Sequence, residues 1–284
     1  MICFPNAKIN IGLRLMSVRP DGFHDIESIF FPINLHDILE VKKNDLFKSK
    51  KIEIKYAGNF SRITNDLCVK AYNLLDNEFD LPPIKVILYK NIPIGSGLGG
   101  GSSNAVSMLK SLNKLFGLNL NKQKLLSYCK VLGSDCSFFL ENKPSFVSGL
   151  GDIINAKINF SLSDYKILLI FPSKFLSTKK IFDSIIDKNN LIHENMNNSD
   201  LFCKILSNNY SIDFWKSTLK NDLEPTSIEY IPEIKKIKNK LYEKGAVYAS
   251  MSGSGATVYG IFPKKYFLDE KWENNYFSFS CDLV

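Results

Sequence analysis

Residues 93–105 read Pro-Ile-Gly-Ser-Gly-Leu-Gly-Gly-Gly-Ser-Ser-Asn-Ala, five glycines and a serine pair in one short span. Few folds have a use for so much bare backbone, because glycine weakens helices and strands alike. The flanks narrow the choice. Ile84 to Tyr89 is an apolar, β-branched run of strand length, whereas Ala105, Met108, Leu109, Leu112 and Leu115 recur at helical spacing up to a stop at Gly117. A glycine loop between a strand and a helix lets main-chain N–H groups close around an anion, and the helix dipole adds to the attraction. The pattern predicts a phosphate-binding loop.

Two familiar phosphate loops are excluded. Gly95, Gly97 and Gly100 satisfy G-x-G-x-x-G, but a dinucleotide fold also needs an acid roughly 20 residues on. No Asp or Glu occurs from Leu81 to Ser134. The Walker loop needs a lysine before its Ser/Thr, and here Gly101 is followed directly by Ser102. A third type of nucleotide loop remains. The span from Lys85 to Lys130 holds seven lysines and no carboxylate, which predicts a positive local field. Most short Gly/Ser stretches are flexible connections; a strong strand before this one and a strong helix after it argue against that reading.

The remainder of the composition describes an ordinary enzyme. At 284 residues and 45% apolar content the chain can bury one large or two modest cores. Its opening residues alternate Ile9, Ile11, Leu13 and Leu15 around Lys8 and Arg14, so neither a secretory leader nor a membrane span is expected. The six cysteines (3, 68, 129, 136, 203 and 281) form no C-x-x-C pair and read as buried thiols of a cytoplasmic protein. Histidine occurs only at 24, 36 and 193, too few for a zinc site. The net charge of +7 does not indicate nucleic-acid binding, since only three of 36 basic residues are arginine and the chain is also crowded with Asn and Ile. Compositional drift explains the charge better.

Strand patterns lie at Ala7–Leu15, Ile26–Ile33, Ile38–Lys42 and Lys51–Tyr56, with helices at Asp66–Asn77 and Lys122–Leu132. Ser145–Val147 and a turn at Gly149–Asp152 close the first half. A polar stretch, 155–164, then precedes a fresh strand at Lys166–Phe171, which predicts domains at 1–155 and 156–284. The second half reads as a helix at Ser177–Asp187, an Asn-rich surface loop at 189–198, and a helix from Pro232 to Glu243. Strand-like Ala246–Met251 and Ala256–Phe262 are joined by Ser252-Gly253-Ser254-Gly255, in isolation a plain hairpin turn.

Taken together, Pro5-Asn6-Ala7-Lys8-Ile9-Asn10, the Pro93–Asn104 loop and Ser250-Met-Ser-Gly-Ser-Gly255 resemble, in that order, the three motifs of the GHMP kinase superfamily. Arg19-Pro-Asp-Gly-Phe-His24, Gly133-Ser-Asp-Cys-Ser-Phe-Phe139 and Asn221-Asp-Leu-Glu-Pro225 are similar to the branch that acts on a cytidine-diphosphate-linked methylerythritol. The resemblance implies an α+β fold of two domains with the active site in the interdomain cleft. It also implies ATP and Mg²⁺ as cofactors, phosphorylation of the substrate's 2-hydroxyl in non-mevalonate isoprenoid synthesis, and a monomer or weak homodimer. Carried over by position, Lys8 and Asp135 match the catalytic pair and Asn10 a substrate contact. Pro93, Ile94, Gly95, Ser96, Gly97, Leu98, Gly99, Gly100, Gly101, Ser102 and Ser103 match the ATP-phosphate loop, and Ser103 (or Ser102) is a candidate Mg²⁺ contact. Phe23, His24 and Phe182 fall where the family holds cytosine. This chain has Phe23 where Tyr is frequent and Ser137 where Pro is frequent, and the order Asn65-Asp66-Leu67 leaves the adenine contacts unassigned. A GHMP kinase for mevalonate or homoserine, or an inactive ligand-binding relative, stays open as an alternative.

Overall fold

The computed structural model describes residues 1–44, 51–60, 66–157, 161–186, 202, 211–266, 272 and 276–283. In chain order the elements are β1 (Ile2–Cys3), β2 (Asn6–Val18), β3 (His24–His36), β4 (Ile38–Lys43), β5 (Ile52–Gly58), α1 (Leu67–Phe79), β6 (Ile84–Lys90), α2 (Gly100–Phe116), α3 (Lys122–Leu132) and α4 (Cys136–Glu141). There follow β7 (Ser145–Ser148), β8 (Ile153–Lys157), β9 (Tyr165–Phe171), α5 (Thr178–Ile186), α6 (Trp215–Thr218), α7 (Glu224–Tyr230), α8 (Glu233–Glu243), β10 (Tyr248–Met251), β11 (Val258–Pro263) and β12 (Phe277–Asp282). The mixture is α+β, as expected.

The chain divides into two compact units, neither of them continuous. Unit 1 comprises Met1–Ala7, Leu35–Ile94 and Gly99–Asn142; unit 2 comprises Lys8–Asn34, Gly95–Leu98 and Lys143–Val284. The boundary expected at 155/156 therefore differs from the division by contacts. The reason lies in strand pairing: β3 pairs antiparallel with β7, Ser28 opposite Val147, and Leu13 of β2 bridges to Asn221, which draws the early strands to the later half.

In unit 1 the sheet order is β1-β4-β6-β5, with β5 and β6 parallel. β6 alternates cleanly, burying Ile84, Val86 and Leu88. Helix α1 buries Cys68, Ala71, Tyr72 and Leu75, and α2 buries Ala105, Met108, Leu109 and Leu112 on one stripe. Each of the buried leucines and Met108 contributes about 1.5–3 kcal/mol when taken from water. α2 begins at Gly100, ahead of the first apolar residue of its stripe, with Gly99 at φ +70° before it.

Unit 2 holds the sheets β10-β11-β9-β12 and β2-β3-β7-β8. Central β9 buries Ile167 to Phe171 without a break, the pattern of a strand covered on both faces. Helix α8 buries Ile234, Ile237 and Leu241, the i, i+3, i+7 face of an otherwise lysine-rich segment. The short helices α4, α6 and α7 and the strands β1, β8 and β12 were not expected from the sequence. The Asn-rich segment 189–198 and Cys203 lie outside the described residues. No helix among the described residues is long and apolar enough to cross a membrane.

Candidate active site

Strand alternation puts Lys8 and Asn10 of β2 on one face, and both are buried, at 3% and 1% exposure. A lysine in a strand is ordinarily solvated. Here its ammonium donates to Asn10 Oδ1 at 2.7 Å and lies 4.5 Å from the centroid of the Phe30 ring. Asn10 is held on every side. Its Nδ2 donates to Ser28 Oγ (3.0 Å), its N–H donates to Ser252 Oγ (3.3 Å), and its carbonyl accepts from Tyr259 Oη (2.7 Å). A lysine so anchored presents a charge at a fixed position with little left to reorganise.

The glycine loop lies against the same residues within unit 2. Lys8 N–H donates to Leu98 O at 2.9 Å, Thr257 N–H donates to Ser96 O at 3.2 Å, and Ser252 Oγ donates to Gly97 O at 2.9 Å. A Cβ on Gly97 would stand 2.0 Å from Ser252 O, so that glycine is required by close approach as well as by its φ of +80°. The Ser252–Gly255 segment is thus the hairpin turn its sequence suggests, joining β10 to β11, and also a brace for the loop. Of the remaining loop residues, Pro93, Ile94 and Gly99 to Ser103 belong to unit 1. There Ser103 is buried while Ser102 is half-buried, so Ser102 is the more open of the two hydroxyls suggested for Mg²⁺.

Sequence reasoning missed a buried cluster in unit 1. Asp37, fully buried, accepts from Asn91 N–H and Ile92 N–H (both 2.8 Å), from Asn104 Nδ2 (2.9 Å) and from the Lys90 ammonium. Lys90 also donates to Asn104 Oδ1 at 3.1 Å. The carboxylate therefore ties the end of β6, just before Pro93, to the first turns of α2, just after the glycines. One signal was available: the alternation of β6 puts Lys90 on the buried side with Val86 and Leu88, and a buried lysine needs a partner.

Four of the seven lysines in the acid-free span have carboxylate partners from outside it. Lys85 faces Glu53 at 3.9 Å, Lys124 meets Glu78 at 2.7 Å, Lys122 pairs with Glu141 and Lys90 with Asp37. Lys110 donates to the carbonyls of Phe139 (3.2 Å) and Leu140 (2.9 Å) at the end of α4.

Asp135 occupies the N-cap position of α4, where a bland role would be capping, yet its side chain makes no capping hydrogen bond. It is half-buried. In unit 2, His24 and Phe182 come together with ring centroids 5.3 Å apart, tilted by 41°. His24 is 7% exposed and its Nδ1 is buried with no hydrogen-bond partner among the described residues. Burial holds its pKa below the usual histidine value, keeping the ring neutral. Phe23, by contrast, is 60% exposed. It is the residue before β3 begins, and its neighbour His24 is the one turned inward. The five described cysteines are all free, with Cys3 and Cys281 only half-buried; burial pushes Cys129 up to about 11 and Cys136 to about 12.

A strand-to-helix glycine loop is thus braced by a second glycine hairpin beside a buried and oriented lysine. Comparison with known proteins gives the family. Residues 66–143 match the GHMP kinases N terminal domain and residues 191–271 the GHMP kinases C terminal domain. The chain is 44% identical, over the full length of both proteins, to 4-diphosphocytidyl-2-C-methyl-D-erythritol kinase of Bacteroides thetaiotaomicron. It is 40% identical to the protein of the same name from Cytophaga hutchinsonii, covering 93% of each chain. Among solved structures, a 4-(cytidine 5'-diphospho)-2C-methyl-D-erythritol kinase superposes with a TM-score of 0.71 at 23% identity, covering 92% of this chain and 89% of that one. Mevalonate kinase of Methanococcus jannaschii gives 0.70 at 15% identity over 100% and 98% of the chains, a likeness of fold. The chain belongs to the GHMP kinase family, and it is a small-molecule kinase.

Proposed function

We propose that this kinase transfers the γ-phosphoryl group of ATP to the 2-hydroxyl of 4-diphosphocytidyl-2-C-methyl-D-erythritol, a cytoplasmic step of non-mevalonate isoprenoid precursor synthesis. The observation that carries the reading is the His24–Phe182 pair, a buried neutral imidazole with an orphan nitrogen beside an aromatic ring. A pyrimidine edge satisfies that nitrogen and its face stacks on the ring, whereas mevalonate and homoserine have no base to offer.

Phosphoryl transfer asks for in-line positioning and for charge stabilisation around the equatorial oxygens. Asp135 orients the attacking hydroxyl and takes its proton as the new O–P bond forms and the bond from phosphorus to the leaving oxygen of ADP breaks. Lys8, held by Asn10 and Phe30, stabilises the transferred group. The backbone of Gly95 to Gly101 holds the phosphates. The hydroxyl of Ser102 or Ser103 would hold Mg²⁺, which would supply charge neutralisation beside the phosphates. Among the described residues no group of three or more His, Cys, Asp or Glu side chains is arranged to hold a metal, which fits an ion that arrives with its nucleotide.

The test is ADP release from Mg-ATP with the cytidine-linked alcohol, its uridine-linked analogue, mevalonate and homoserine. A misread base edge costs about 1–3 kcal/mol, so the cytidine compound is expected to be favoured by roughly tenfold or more in kcat/KM. Phe182→Ala should raise its KM more than it lowers kcat, by the ~1–3 kcal/mol of a lost stack. Equal use of both nucleotides, or turnover of mevalonate or homoserine, overturns the reading.

A further inference from the structure

The segment Asn221-Asp-Leu-Glu224 has no part in the chemistry just described, yet its side chains are turned inward. Asn221 is 3% exposed. Its Oδ1 accepts from Leu223 N–H at 3.0 Å, which fixes which end of the amide carries the hydrogens. The Nδ2 group then donates twice, to Met251 O at 2.9 Å and to Gly253 O at 2.8 Å, the two carbonyls on either side of Ser252. Glu224, 7% exposed, accepts from Met251 N–H at 3.0 Å and pairs with Lys238. Asp222 accepts from Leu15 N–H at 2.9 Å, while Leu13 N–H donates to Lys220 O at 2.9 Å, which moors the segment to β2.

From Ser252 the line continues to the glycine loop and the strand that carries Lys8. Ser252 Oγ donates to Gly97 O and accepts from Asn10 N–H. Gly97 lies so close to Ser252 that even a methyl group cannot be added between them. A rotation of the 251–253 backbone therefore cannot be absorbed by the loop. Nor can the loop settle independently of Asn221, because the two carbonyls flanking Ser252 are both held by one amide.

We propose that Asn221 is a positioning residue for phosphoryl transfer: through Met251 O and Gly253 O it sets the orientation of Ser252, and through Ser252 the placement of Gly97 and Asn10. The proposal rests on the reading of the glycine loop as the ATP-phosphate site. Asn221→Asp keeps the shape of the side chain and replaces the double donor with an acceptor facing two carbonyl oxygens. Ser252→Ala breaks the next link and leaves the backbone contact in place.

Kinetics of the wild type, Asn221→Asp, Ser252→Ala and the double variant test it, each at a temperature where melting curves show the protein folded. Asn221→Asp is expected to lower kcat/KM for ATP roughly 10- to 100-fold, the scale of an ångström-sized misplacement. In the double variant the loss should stay within about twofold of the larger single loss, since both changes cut one line; independent sites would multiply. A support of the fold alone would also multiply. The same cycle with Asn221→Ser, neutral and still a donor, covers an acidic variant that does not fold. Multiplying losses, or a wild-type kcat/KM in the Asn221 variants, overturn this proposal while leaving the loop assignment intact. A wild-type protein that binds no ATP in calorimetry overturns both.

Discussion

Replacing the Asp135 carboxylate by an amide of the same size tests its charge and basicity directly. Asp135→Asn should lower kcat by about 10²-fold or more, as loss of a general base does, and leave the melting temperature near that of the parent. A parental rate under saturating substrates removes Asp135 from the mechanism. Individual residues were unevenly legible. Lys8, Asn10 and His24 could be picked out by resemblance, but their burial could not, since a lone lysine or histidine in a chain carries no sign of what will cover it. Phe23 shows the limit from the other side. Two adjacent residues entering a strand point in opposite directions, so a motif that contains Phe-His puts only one of them inside. The amide of Asn221 was quoted as part of a motif with no task, because its task is defined by carbonyls 30 and 32 positions away in sequence.

Between elements, the connection of β6 to α2 depends on Asp37. Asp37→Ala strands the Lys90 ammonium in a dry environment and leaves the Asn91 and Ile92 N–H groups without their acceptor. Breaking a buried pair from one side costs about 3–5 kcal/mol. The expected outcome is a matching drop in unfolding free energy from urea denaturation; a loss below about 1 kcal/mol would show that water or a rearranged neighbour replaces the carboxylate. The elements with strong periodicity, β6, β9, α2, α3 and α8, were readable because their apolar spacing spans at least one full repeat. Those that were missed are short. The six residues of α4 hold less than two turns, and the two residues of β1 pair with β4 through main-chain geometry that no side-chain pattern reports.

For the molecule as a whole, the expected linear cut at 155/156 presumed that each half of a chain folds by itself. Pairing of β3 with β7 depends on partners more than a hundred positions apart, a relation no local window contains. Treatment of the free protein with a chelator should leave its thermal unfolding unchanged, since no described cluster holds a structural ion, while the same chelator in the assay should abolish ADP release. A fall in melting temperature on chelation would reveal a resident metal.

The lysines of the acid-free span carry a broader lesson. Read along the chain they form an unbroken run of one sign, but Glu53, Glu78, Glu141 and Asp37 reach them from outside the span. A linear tally of charge and the map of charge on the folded surface are therefore different objects. A chain can gain lysines along one span while carboxylates placed elsewhere in the sequence come to meet several of them.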